Sequence, residues 1–76
     1  MRVNYCKFLN QKGWACFDDC ICGGGYYEKF QTPKFPGWEI WVSPERNTFR
    51  VYNDAGELLG ERELRHLEGT LVKNNF

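Results

Sequence analysis

Trp38-Glu39-Ile40-Trp41-Val42-Ser43, followed four residues later by Thr48-Phe49-Arg50-Val51-Tyr52-Asn53, is the stretch on which the fold turns. In the first segment Trp38, Ile40 and Val42 alternate with Glu39, Trp41 and Ser43, so one face of an extended chain is apolar. The second segment repeats the period of two, with Phe49 and Val51 inward and Thr48 and Arg50 outward. Pro44-Glu45-Arg46-Asn47 between them is turn chemistry, because proline presets the backbone of a turn's second position. Downstream, Asn53-Asp54-Ala55-Gly56 is a hairpin connection in which Gly56 supplies a left-handed residue, and Glu57-Leu58-Leu59-Gly60 is a short third strand. Together these segments predict an antiparallel meander.

Outward from the meander the pattern changes. Residues 61–68 are strong helix formers, and Leu64, Leu67 and Leu71 recur at i, i+3 and i+7. That apolar stripe is expected to cover the strands, with Gly69 either ending the helix or being crossed at about 1 kcal/mol. Upstream, Tyr26-Tyr27-Glu28-Lys29-Phe30-Gln31 leads into a Pro-rich loop, Thr32-Pro33-Lys34-Phe35-Pro36-Gly37. Residues 2–9 and 14–18 read as two strands around a turn at Asn10-Gln11-Lys12-Gly13. The expected fold is α+β, one domain over residues 1–76. It combines a small antiparallel β-meander, one short C-terminal helix and an N-terminal cysteine-bearing hairpin stapled by zinc.

The staple is argued from size. A chain of 76 residues buries only about 60% of the surface its unfolded form exposes. Domains this small usually add a disulfide, a metal or a partner. Cys6, Cys16, Cys20 and Cys22 give the spacing C-x9-C-x3-C-x-C, which matches no paired C-x2-C zinc pattern. Pairing across the predicted hairpin nevertheless sets Cys6 opposite Cys16, with Cys20 and Cys22 on a following loop that folds back over them. Gly23-Gly24-Gly25 then serves as a flexible connector; it lacks the lysine and helix of a phosphate loop. A four-thiolate structural zinc is the leading expectation. Buried or surface thiols, disulfides and redox chemistry are the alternatives. Asp18, Asp19 and His66 are possible substitute ligands, although a turn aspartate is more often a cap and a lone histidine more often plain surface.

Ten basic and ten acidic residues leave zero net charge, which argues against a protein held to nucleic acid mainly through phosphates. No stretch approaches the 18 apolar residues of a membrane span, and residues 1–7 lack a secretory apolar region, so a cytoplasmic location is expected. One histidine, no Ser-His-Asp set and only Asp18-Asp19 as adjacent acids give no catalytic constellation.

Aromatic residues make up 17% of the chain, and most are needed for the core. Trp38 and Trp41 differ in parity, so with Trp38 inward Trp41 faces away beside Tyr52 of the next strand. Trp41, Tyr52 and Phe35 therefore form the expected partner-binding set. The favoured reading is a non-catalytic protein-interaction module, an adaptor, regulator or inhibitor of a larger protein; a subunit stable only in an oligomer or complex is a third reading. In general character it resembles the small inhibitors that phages direct at host machinery, with no motif behind the likeness. The runner-up is a small zinc-ribbon-like nucleic-acid-binding protein, with aromatic rings stacking on bases and a few of Arg2, Lys7, Lys12, Lys29 and Lys34 meeting phosphates.

Overall fold

In the computed structural model, which describes residues 4–22 and 25–74, the first element is a helix rather than a strand. This is α1 (Tyr5–Gln11). Asn4 caps it by accepting the Lys7 backbone N–H on its side-chain oxygen at 3.2 Å. At the other end Gly13 has φ +91°, a conformation that glycine adopts without strain. The Gly13 N–H donates to the Asn10 carbonyl at 3.1 Å and the Trp14 N–H to the Leu9 carbonyl at 2.8 Å. That pair of bonds is a Schellman end, and the two residues it ties, Leu9 and Trp14, both enter the core. Tyr5, Phe8 and Leu9 sit at helical spacing on the covered side. The expected N-terminal hairpin is therefore corrected: Cys6 lies on a helix, and Cys16 pairs across a ladder with Phe30.

Among the described residues five strands follow, β1 (Ala15–Cys22), β2 (Gly25–Gln31), β3 (Glu39–Ser43), β4 (Thr48–Tyr52) and β5 (Leu58–Glu63). They form one antiparallel sheet in sequence order. Cys20 and Cys22 belong to β1 and not to a loop. The register shifts between Cys16 and Asp18, so that Cys16 shares a face with Phe30 while Asp18 and Cys20 share the opposite face with Lys29 and Tyr27. At the far end of the meander the Asn53 side chain accepts the N–H groups of Ala55 and Glu57, and Gly56 takes φ +79°, as its place in the hairpin requires.

The second correction concerns residues 61–63. They continue β5, with Glu61 opposite Arg50, Arg62 opposite Phe49 and Glu63 opposite Thr48. A ladder to β4, reinforced by the Arg50–Glu61 ion pair at 2.5 Å, outweighs helix preferences worth only tenths of a kcal/mol per residue. The helical segment begins at a 3₁₀ turn, Leu64–His66, and becomes α2 (Leu67–Lys73), which runs through Gly69.

Both helices pack on the same face of the sheet. Leu9 and Trp14 from one end of the chain and Leu64, Leu67 and Leu71 from the other meet Phe30, Ile40, Val42, Phe49 and Val51. Tyr5, Phe8, Phe35 and Trp38 close the margins. Each fully buried side chain of this kind contributes about 1.5–3 kcal/mol. Among the described residues no helix is long and apolar enough to cross a membrane.

Leu67 is fully buried at the start of α2. Leu67→Ala is expected to destabilise the chain by about 2–5 kcal/mol in chemical denaturation. An unchanged midpoint would mean that α2 does not hold the sheet.

Candidate interaction surface

The sheet face turned away from both helices is built by parity. Tyr27 and Lys29 of β2, Glu39, Trp41 and Ser43 of β3, and Thr48, Arg50 and Tyr52 of β4 all lie on it, with Glu61 of β5 opposite Arg50. No helix covers it among the described residues, yet it has its own order. The Trp41 and Tyr52 rings are 4.5 Å apart, and Tyr27 is 5.9 Å from Trp41 on the other side. Three rings thus run across three strands as cross-strand neighbours.

Cations sit on those rings. The Lys29 ammonium is 4.2 Å from the Trp41 ring centre, and the Arg50 guanidinium is 4.9 Å from that of Tyr27. Arg50 also donates to Glu61 at 2.5 Å and to the Tyr52 hydroxyl oxygen at 3.4 Å. Those two bonds, Glu61 first, hold the guanidinium still further above its ordinary range. The Trp41 indole N–H donates to Glu39 at 2.8 Å. These contacts leave Tyr27 only 2% exposed and Trp41 and Tyr52 half-buried. Trp41 and Tyr52 line a shallow concavity of about 260 Å³, walled by Gly37, Glu39, Asn53 and Gly56.

Of the expected partner-binding set, the structure brings Trp41 and Tyr52 together and places Phe35 elsewhere. Phe35 packs against the core on the helix side, where it lines a larger groove. Strand alternation already set Glu39 and Arg50 on this side, whereas Tyr27, Lys29 and Glu61 were missed. Period-two parity would have put each on this face once the strand registers were known.

The cysteines are divided by the sheet. Cys6 and Cys16 are on the helix side, beside Glu28, whose carboxylate accepts the Tyr5 hydroxyl. Cys20 is on the other face, and the side chain of Cys22 lies outside the described residues. Asp18 faces away from the helices and Asp19 toward them, opposite Glu28. His66 is in the 3₁₀ turn at the far end of the sheet. Among the described residues no three His, Cys, Asp or Glu side chains converge on a metal position. The basic residues of the nucleic-acid reading are also dispersed. Lys7 is on α1, Lys12 follows it over the Phe8 ring, Lys29 is on the opposite sheet face, Lys34 is in the Pro-rich loop, and Arg2 lies outside the described residues.

Burial first, then the negative charge of Glu28 and the neighbouring Cys16, pushes the Cys6 thiol above its ordinary value. The thiolate is the reactive form, so Cys6 is expected to modify more slowly than a solvated thiol near neutral pH and to recover as pH rises through its elevated pKa. Site-resolved alkylation across that range checks this. In this arrangement a chelator should leave the labelling of Cys6, Cys16 and Cys20 unchanged. One zinc per chain with chelator-dependent protection would instead require thiols from both faces to be brought together.

No protein family, curated protein or solved structure matches this chain.

Proposed function

We propose that the chain is a non-catalytic protein-interaction module that docks on a larger protein through the helix-free face of its sheet. The observation that carries this is the Trp41–Tyr52 pair, 4.5 Å apart and lining a concavity on that face. Trp, Tyr and Arg dominate binding energy at protein interfaces when they sit centrally in a packed patch. Here Lys29, Glu39 and Arg50 already restrain the rings, which lowers the ordering cost on association. The concavity accepts one apolar side chain from the partner, and Glu39 in its wall and the Arg50–Glu61 pair elsewhere on the same face offer polar contacts. Base stacking is less well served, because the Lys29 ammonium occupies one face of Trp41.

The test compares affinity capture from the native source by the wild-type chain, by Trp41→Ala, by Tyr52→Ala and by Val72→Ala, the last an exposed α2 position away from the patch. The two patch variants are expected to lose about 2 kcal/mol or more of binding, roughly thirtyfold, with circular dichroism unchanged. Val72→Ala should capture the same protein as wild type. If the patch variants capture it equally well, or bind only single-stranded oligonucleotides at low salt as wild type does, the interface assignment fails. If Trp41→Ala unfolds the chain, Trp41→Phe, which keeps a ring in place, decides between an anchor and a packing residue.

A further inference from the structure

On the opposite side of the sheet, between α2, the β4–β5 ladder and the Pro-rich loop, runs an open groove of about 620 Å³. That volume falls within the roughly 300–1,000 Å³ of small-molecule sites. Its floor is apolar, formed by Trp38, Val51 and Leu59. Its charged lining is one-sided, Arg62 from β5 and Lys73 from α2, beside the His66 imidazole of the 3₁₀ turn and with no carboxylate among the lining residues. Arg62 lies opposite Phe49, so this cation sits on the core face of an edge strand. Among the described residues the salt bridges engage Arg50 with Glu61 and Arg65 with Glu63, leaving the Arg62 guanidinium and the Lys73 ammonium of the groove without an acidic partner.

We propose that this groove binds a small amphipathic anion, a medium-chain carboxylate whose alkyl body lies on Trp38, Val51 and Leu59 and whose head meets Arg62, His66 and Lys73. Apolar burial supplies the driving force, and a guanidinium and an ammonium at the rim select a carboxylate over a neutral or cationic head. Two glycines keep the groove open. A side-chain carbon added at Gly60 or Gly69 meets nothing within 4 Å beyond its chain neighbours and, at Gly69, its own helix backbone, and neither glycine has a positive φ. A larger residue at either position therefore fills the groove without disturbing the backbone. The site is separated by the sheet from Trp41, so it stands or falls independently of the interface above.

The experiment is calorimetric titration of the full chain with decanoate, with decanol and decyltrimethylammonium as neutral and cationic counterparts. Saturable binding at one site per chain is expected, with decanol at least about tenfold weaker, as for loss of a charge-assisted contact. Arg62→Gln and Lys73→Gln should each weaken decanoate several-fold. Gly69→Leu should abolish binding while holding or raising the thermal midpoint, because leucine is the better helix former. Gly60→Val makes the same test from the strand side. Absence of saturable decanoate binding, equal affinity for decanol, or binding that survives both groove-filling variants would overturn the assignment.

Discussion

Leu9, Trp14, Leu64, Leu67 and Leu71 close over Phe30, Ile40, Val42, Phe49 and Val51, and this one-sided contact sets the terms for the rest of the molecule. A meander has no element of its own with which to cover a face, so the two ends of the chain must return to the same side. Each end does so through a sharp local device. At the N-terminus the Gly13 turn ties Leu9 to Trp14 and hands the chain from α1 straight into β1. At the C-terminus β5 passes into a 3₁₀ turn with no loop between, and the Leu64 N–H bonds the Asn47 carbonyl of the β3–β4 turn at 2.8 Å. The core is thus closed by local hydrogen bonds at the first joint and by a long-range one at the second.

Spending both helices on one side leaves the other side of the sheet to organise itself. It does so with side chains alone, rings covered by Lys29 and Arg50, and Arg50 held in turn by Glu61. The arrangement keeps Tyr27 buried without a covering layer and fixes Trp41 and Tyr52 in place. The sheet edges are treated differently. β1 carries a bulge beside Asp18 and Asp19, and β5 carries Glu61, Arg62 and Glu63, both devices that discourage edge-to-edge pairing. Phe17 and Ile21 on β1 and Leu58 and Leu59 on β5 are nevertheless exposed apolar side chains at those edges.

Zero net charge conceals a local imbalance. The groove under α2 gathers Arg62, His66 and Lys73 with no acid in its lining, while Asp19 and Glu28 stand opposite each other at the far end of the same face. The first arrangement attracts an anion. The second raises the cost of ionising its neighbours, and Tyr5 and Cys6 are both pushed upward by burial and then by Glu28. The same sheet thus separates a self-paired aromatic face from a groove with unbalanced charge.

The meander was legible in the sequence because strand alternation and turn chemistry are local. Residues 39–43 and 48–52, the Asn53–Gly56 hairpin, the shared face of Leu64, Leu67 and Leu71, and the neighbouring Trp41 and Tyr52 all follow from spacing alone. Residues 2–9 were read as a strand because a turn at residues 10–13 would set Cys6 opposite Cys16 in a hairpin as readily as it ends a helix. What selects the helix is the Asn4 cap, the Gly13 end and a core that needs Leu9 and Trp14 together. Residues 61–63 have the composition of a helix, and only a ladder to β4 makes them a strand. The placement of the cysteines turned on a single bulge at residue 17, which sends Cys16 and Cys20 to opposite faces and which no composition announces. The groove is the least legible feature, since Phe35, Val51, Arg62 and Lys73 come from four elements that share no local pattern. Local periodicity therefore determined which residues could face together, and long-range pairing decided which of them meet, because register and packing are settled between segments and not within them.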